Sequence, residues 1–139
     1  MEPAPLDAYF SIPELTEIVR SAALLQDKLR EMHTIEQIGL RAPELFGISY
    51  TTSTPWYYYW MNIKREFYSL LCTDSPEYKE IRARFSRLGG QKSQLAMVSS
   101  ISAAVASNVG LIAGVITPLC ALCLIAVQNG QRGILQKNL

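Results

Sequence analysis

Cys120 and Cys123 stand at the C-x-x-C spacing that redox and zinc motifs share. Either chemistry needs a thiolate, which an apolar setting opposes. Here the flanks are Pro118-Leu119 and Leu124-Ile125, the third cysteine is the distant Cys72, and His33 is the single histidine. No zinc set of the usual His/Cys/Asp type can be assembled at a recognisable spacing, so the pair reads as small side chains packed inside a helix. An odd cysteine count also gives no disulfide framework, which fits a reducing, cytoplasmic setting for the N-terminal part.

Other constellations fare no better. The carboxylate pairs Glu14/Glu17 and Glu77/Glu80 are one helical turn apart on faces expected to be solvated. Ser99, Ser100 and Ser102 have no base nearby, and Gly89-Gly90 lacks the rest of a phosphate loop. Gly110-Leu-Ile-Ala-Gly114 is apolar and lacks the strand–turn–helix context of a nucleotide fingerprint. The chain therefore reads as a non-enzyme, with no catalytic residue, metal ligand, cofactor or small-molecule substrate assigned.

The elements that position these residues are helical throughout. Ser11-Ile-Pro-Glu14 has the form of a capping box with proline in the first turn. Leu15, Ile18, Val19, Ala22, Leu25, Leu29 and Met32 follow at helical spacing and predict one amphipathic helix ending near His33. Gly39, Pro43 and Gly47 punctuate residues 34–54, which leaves room only for short turns such as Ala42–Phe46. A second helix is expected from a Thr54 cap to Cys72, with Trp56, Tyr59, Trp60, Ile63, Phe67, Leu70 and Leu71 on its apolar face. Asp74-Ser-Pro-Glu77 opens a third, which Gly89-Gly90 closes.

Beyond that glycine pair the composition changes. No charged residue lies between Lys92 and Arg132, and the run Val109–Val127 is apolar enough and long enough to cross a bilayer as one helix. Residues 1–80 carry all twelve acids against seven basic residues, whereas residues 81–139 carry six basic residues and no acid. Arg82, Arg84, Arg87 and Lys92, just before the run, are placed to meet anionic headgroups. Nucleic acid is the weaker partner, because the basic cluster has neither aromatic interleaving nor a recognised motif. Met1–Asp7, with its acids and prolines, lacks the basic-then-apolar order of a secretory leader.

Within the tract Ser102, Ala106, Gly110 and Gly114 recur every four residues, a helix-packing stripe if the tract is one helix. Ser99, Ser100, Ser102, Ser107 and Asn108 could line a polar path. In the aromatic block the spacing of Trp56 and Trp60 reads as core, while Tyr57 and Tyr58 point elsewhere and are the candidates for outside contact.

The expected fold is all-α: three amphipathic helices, then a long Gly/Ala-rich apolar C-terminal helix or helical hairpin. Residues 11–90 would form a helical cytoplasmic domain, 95–127 a membrane-associated segment kinked at Pro118, and 128–139 a flexible tail. The leading functional expectation is a small single-pass membrane protein with its N-terminal part cytoplasmic. It would act as an anchor, recruiter or oligomerising effector, in one version membrane-disrupting, with lipid and further copies or a partner protein as its partners. The alternative is a soluble cytoplasmic interaction or adaptor module in which 95–127 is a buried hairpin turning at Asn108–Gly110.

Overall fold

Trp56, Trp60, Ile63, Phe67, Leu70 and Leu71 form the buried face of one long helix in the computed structural model. That model describes residues 10, 12–20, 32–48, 53–88, 94–130 and 133–136. The architecture is all-α, with no strand among the described residues. In chain order the helices are α1 (Ile12–Val19), α2 (Met32–Leu40), α3 (Ala42–Phe46), α4 (Trp56–Cys72), α5 (Lys79–Leu88), α6 (Gln94–Val109), α7 (Ala113–Gln128) and α8 (Gly133–Gln136). A 3₁₀ turn, Pro76–Tyr78, leads into α5.

One helix boundary and the part played by Gly39 differ from the sequence expectation. The expected first helix crosses residues 21–31, which lie outside the described residues, and its far end does not stop near His33. Helix α2 carries the chain on to Leu40, with Ile35 and Ile38 buried. Gly39, which looks like a helix breaker, instead serves a close approach between helices. A Cβ built on it would lie 2.2 Å from Cζ2 of Trp60. The neighbouring Trp56 indole donates to the Gly39 carbonyl at 2.9 Å. Helix propensity alone would make alanine better than glycine here by about 1 kcal/mol. Gly39→Ala is nonetheless expected to destabilise by about 1–3 kcal/mol, the usual cost of overpacking. Urea unfolding followed by tryptophan fluorescence gives the sign, and a stabilised variant would refute the close contact.

Arg82 secures the other end of α4. Its guanidinium donates to the carbonyls of Ser69 (2.7 Å), Leu70 (2.8 Å) and Ser75 (2.8 Å). Thr73 Oγ1 adds a bond to the Ser69 carbonyl at 2.6 Å. The Ser69 and Leu70 carbonyls are among those a helix C-terminus leaves open, and a cation suits the negative end of the dipole. At the start of α6, Glu14 performs the complementary task. Its carboxylate accepts from the Leu95 amide at 2.7 Å and so ties α1 to a helix 81 residues away.

The apolar tract is a hairpin. Helix α6 ends at Gly110, whose φ of +87° is open to glycine at little cost. The amides of Gly110 and Leu111 both return to the Ala106 carbonyl, at 2.8 and 3.2 Å. The chain direction then changes by 110° before α7. Pro118 lies inside α7 and removes the bond to the Gly114 carbonyl, a residue on the exposed first turn where water can serve instead.

Helix α7 occupies the middle of the fold, against α6, α1, α2 and α4. Every residue from Leu119 to Val127 is buried, and Leu119–Ala126 are at most 1% exposed. Nine consecutive residues make two and a half turns, so every side of the helix is covered. No single helix among the described residues is long and apolar enough to cross a membrane. Beyond α7, where a flexible tail was expected, Ile134 and Leu135 of α8 are buried in a helix that packs on α4.

Candidate functional site

Three features qualify as candidate sites: a polar cluster between α2 and α4, a second at the end of α6, and the tip of the α6–α7 hairpin. The first cluster lies between α2 and α4. Trp60 and Lys64, four residues apart, share one side of α4 and face Glu36 on α2. Lys64 Nζ lies 2.8 Å from both carboxylate oxygens, and Trp60 Nε1 donates to Oε1 at 2.6 Å. The ammonium also lies over the Trp60 ring, 5.2 Å from its centroid. Glu36 is 4% and Lys64 1% exposed, so the pair exists almost without water.

The cysteines of α7 lie in the same interior. Burial pushes the Cys120 thiol up to about 12, against which a bond with Ser102 works weakly. Burial, then Cys120, also raise Cys123, while the Lys64 charge lowers it and Glu36 raises it. Both sulfurs are held as thiols, the form that neither attacks disulfides nor ligates zinc. Among the described residues no three His, Cys, Asp or Glu side chains converge as metal ligands.

The second cluster sits at the far end of α6. Asn108 Nδ2 donates toward Glu77 Oε1 (2.6 Å), the Tyr78 hydroxyl (2.9 Å) and Glu66 Oε1 (3.3 Å). The Tyr78 hydroxyl in turn donates to Glu66. Three elements, α4, the 3₁₀ turn and α6, thus meet at one amide. A hydrogen bond with Glu66 raises the Glu77 carboxyl above its ordinary range, aided by partial desolvation and the Glu66 charge. Burial and the Glu66 bond likewise raise the Tyr78 hydroxyl.

The third feature is the hairpin tip. Gly110, Ile112 and Gly114 are exposed, Val109, Leu111 and Val115 half-buried, and Ile112 is 75% exposed. A Cβ added at Gly110 or Gly114 would meet nothing within 4 Å.

The residues singled out from the sequence are distributed among these parts. Ser102, Ala106, Gly110 and Gly114 do not make one stripe, because the helix ends between the second and third of them. Ser102 and Ala106 are buried, and Ser102 Oγ donates to the Val98 carbonyl at 2.7 Å. Ser99, Ser107 and Asn108 face outward. Arg82 caps α4, Arg84 is exposed, and Lys92 and the side chain of Arg87 lie outside the described residues. Tyr57 and Tyr58 are exposed, with their rings stacked at 4.3 Å between centroids. His33 belongs to the first turn of α2, not to the end of a helix.

Sequence reasoning missed Glu36, Lys64, Glu66 and the alliance of Glu77 with Tyr78 and Asn108. One signal was available: Lys64 interrupts the apolar face that Trp60, Ile63 and Phe67 define, so a helical wheel buries it. The Glu66–Glu77 meeting depends on tertiary packing and left no mark on the periodicity. Comparison with known protein families, with curated proteins and with solved structures finds no match for this chain.

Proposed function

We propose that this chain is a non-enzymatic, all-α interaction module whose own core is the apolar hairpin α6–α7. The observation that carries the reading is the enclosure of α7, whose leucine and isoleucine side chains meet α1, α2, α4 and α6 on every side. A helix apolar all round fills a protein core as readily as a bilayer, and here the surroundings are protein. Three exposed surfaces carry no charge: the outer face of α6 (Ser99, Ala103, Ser107), the hairpin tip, and the Tyr57–Tyr58 pair. In cells, the full chain is expected to remain in the supernatant after high-speed centrifugation without detergent, and to run as a discrete helical species on size exclusion. Cosedimentation with membranes that survives carbonate extraction would overturn the reading.

That outcome would favour a membrane effector, anchored or inserted through residues 94–128. One observation speaks for this second reading. Together α6 and α7 have the length and apolar composition of a broken span or re-entrant loop. For the hairpin to enter lipid, α1, α2 and α4 would have to part from α7 and leave their own apolar faces to be covered elsewhere.

A further inference from the structure

We propose that the groove on α6 and α7 which α1 fills within one chain also takes α1 of a second copy, so that two chains exchange their first helices and close a symmetric dimer. The inference rests on the interaction-module reading and names a further copy of the chain as a partner of that module.

Helix α1 is seated on the hairpin as a ligand would be. It packs on α7 and α6. Phe10, Leu15, Thr16 and Val19 turn inward and are buried. Pro13, Glu17 and Arg20 lie on the outside, where Arg20 pairs with Glu17. Two hydrogen bonds pin the segment to opposite arms of the hairpin. Gln128, at the end of α7, donates its side-chain amide to the Phe10 carbonyl. Glu14 accepts from the Leu95 amide at the start of α6, 2.7 Å away.

Each half of this contact needs the other. Eight residues are too few for a stable helix in water, so α1 keeps its shape only while it is docked. Helix α7 is apolar on every side, and lifting α1 bares one of them. A chain that opens in this way meets the same helix, groove and pair of hydrogen bonds in any other opened copy. That identity singles out a second copy, because the fit of its α1 is already present within each chain. Exchange of an identical element is a low-cost route to a dimer, since it requires no new surface. Eleven residues, 21–31, connect Arg20 to α2. Fully extended, such a connection reaches about 40 Å, enough by length alone to bring α1 to a neighbouring hairpin. The docked contacts are the same in monomer and dimer. Docking within the chain is therefore favoured only by its effective concentration, on the order of millimolar for a short connection.

The test uses the full chain in natural and isotope-labelled forms, each held at about 1 mM, then mixed and read by native mass spectrometry. Dimers should form at that concentration and revert to monomer after about a hundredfold dilution and re-equilibration. Dimers of mixed isotope should appear at the rate at which α1 undocks. Glu14→Ala removes the bond to Leu95 from monomer and dimer alike, so the dimer fraction should stay as it is. Mixed dimers should nevertheless appear several-fold faster, the effect of one lost helix cap. Glu17→Ala, on the outer side of α1, should alter neither quantity. A folded chain that stays soluble and monomeric at about 1 mM overturns the exchange alone. So does a dimer that mixes no faster with Glu14→Ala, because it is then held through another surface. A chain that needs detergent to stay in solution overturns the module reading itself, and the exchange with it.

Discussion

Glu36→Ala is expected to destabilise the fold by about 3–5 kcal/mol, the usual result of removing one member of a buried ion pair. The partner, Lys64, is 1% exposed and cannot reach water from its place between α2 and α4. Without Glu36 it loses both carboxylate contacts at 2.8 Å, and Trp60 Nε1 loses its acceptor at 2.6 Å. The neighbouring indole cannot substitute, since a cation–π contact supplies only about 0.5–2 kcal/mol. Equilibrium urea unfolding is the measurement, with the buried Trp60, which loses its acceptor, and the buried Trp56 one turn away as reporters.

The pair is not thereby a net source of stability. Replacing both members at once, Glu36→Leu with Lys64→Met, should be close to neutral, or stabilising by about 1–4 kcal/mol. The double-mutant cycle would then give a coupling of several kcal/mol. What the pair supplies is register. Glu36, Trp60 and Lys64 can meet only when α2 lies across α4 with Gly39 beneath the Trp60 ring, so one helix arrangement satisfies the buried charges and its neighbours do not.

Several parts of this arrangement were legible without coordinates. The face of α4 follows from the spacing of Trp56, Trp60, Ile63 and Phe67, and α3 lies at Ala42–Phe46 as its punctuation suggests. The all-α class follows from periodicity of three and four with no convincing alternation. Gly39 was misread because a glycine that breaks a helix and one that admits a tryptophan ring look the same in one dimension. The stripe at Ser102, Ala106, Gly110 and Gly114 needed an unbroken helix, and the left-handed turn at Gly110 divides it. Spacing alone pairs Glu14 and Glu77 with their chain neighbours, Glu17 and Glu80. In the fold their partners are the Leu95 amide and the Glu66–Asn108 cluster, which only tertiary packing brings near.

The ambiguity of residues 109–127 is of another kind. Periodicity picks out a helix with one buried face, but a helix apolar on every side satisfies protein and lipid alike. Length tells against a span by α7 alone, which at 16 residues is too short, whereas α6 and α7 together have the length and composition of a broken span. What separates the two is the apolar area presented by the other helices. Leu15, Val19, Ile35, Ile38, Trp60, Ile63 and Phe67 all need a surface to cover, and α7 is that surface.

A pair of arginine substitutions turns this argument into the sharpest contrast available. Leu122 is wholly enclosed, near the middle of α7. Truncation to alanine there should cost about 2–5 kcal/mol, as for other buried leucines. Leu122→Arg introduces a charge with no partner, at a cost of several kcal/mol after relaxation, on top of the strain of a larger side chain. A domain has only about 5–15 kcal/mol to lose. The variant should therefore show no cooperative unfolding transition and should be degraded or insoluble on expression. Ile112→Arg, in the same hairpin but at 75% exposure, should change stability by no more than about 0.5 kcal/mol. Were the hairpin immersed in lipid, both positions would lie within the apolar run. Both arginines would then hinder insertion while sparing the amphipathic helices. An Ile112→Arg protein as damaged as Leu122→Arg would thus point to lipid around the whole hairpin, and a wide gap between them to the chain's own helices.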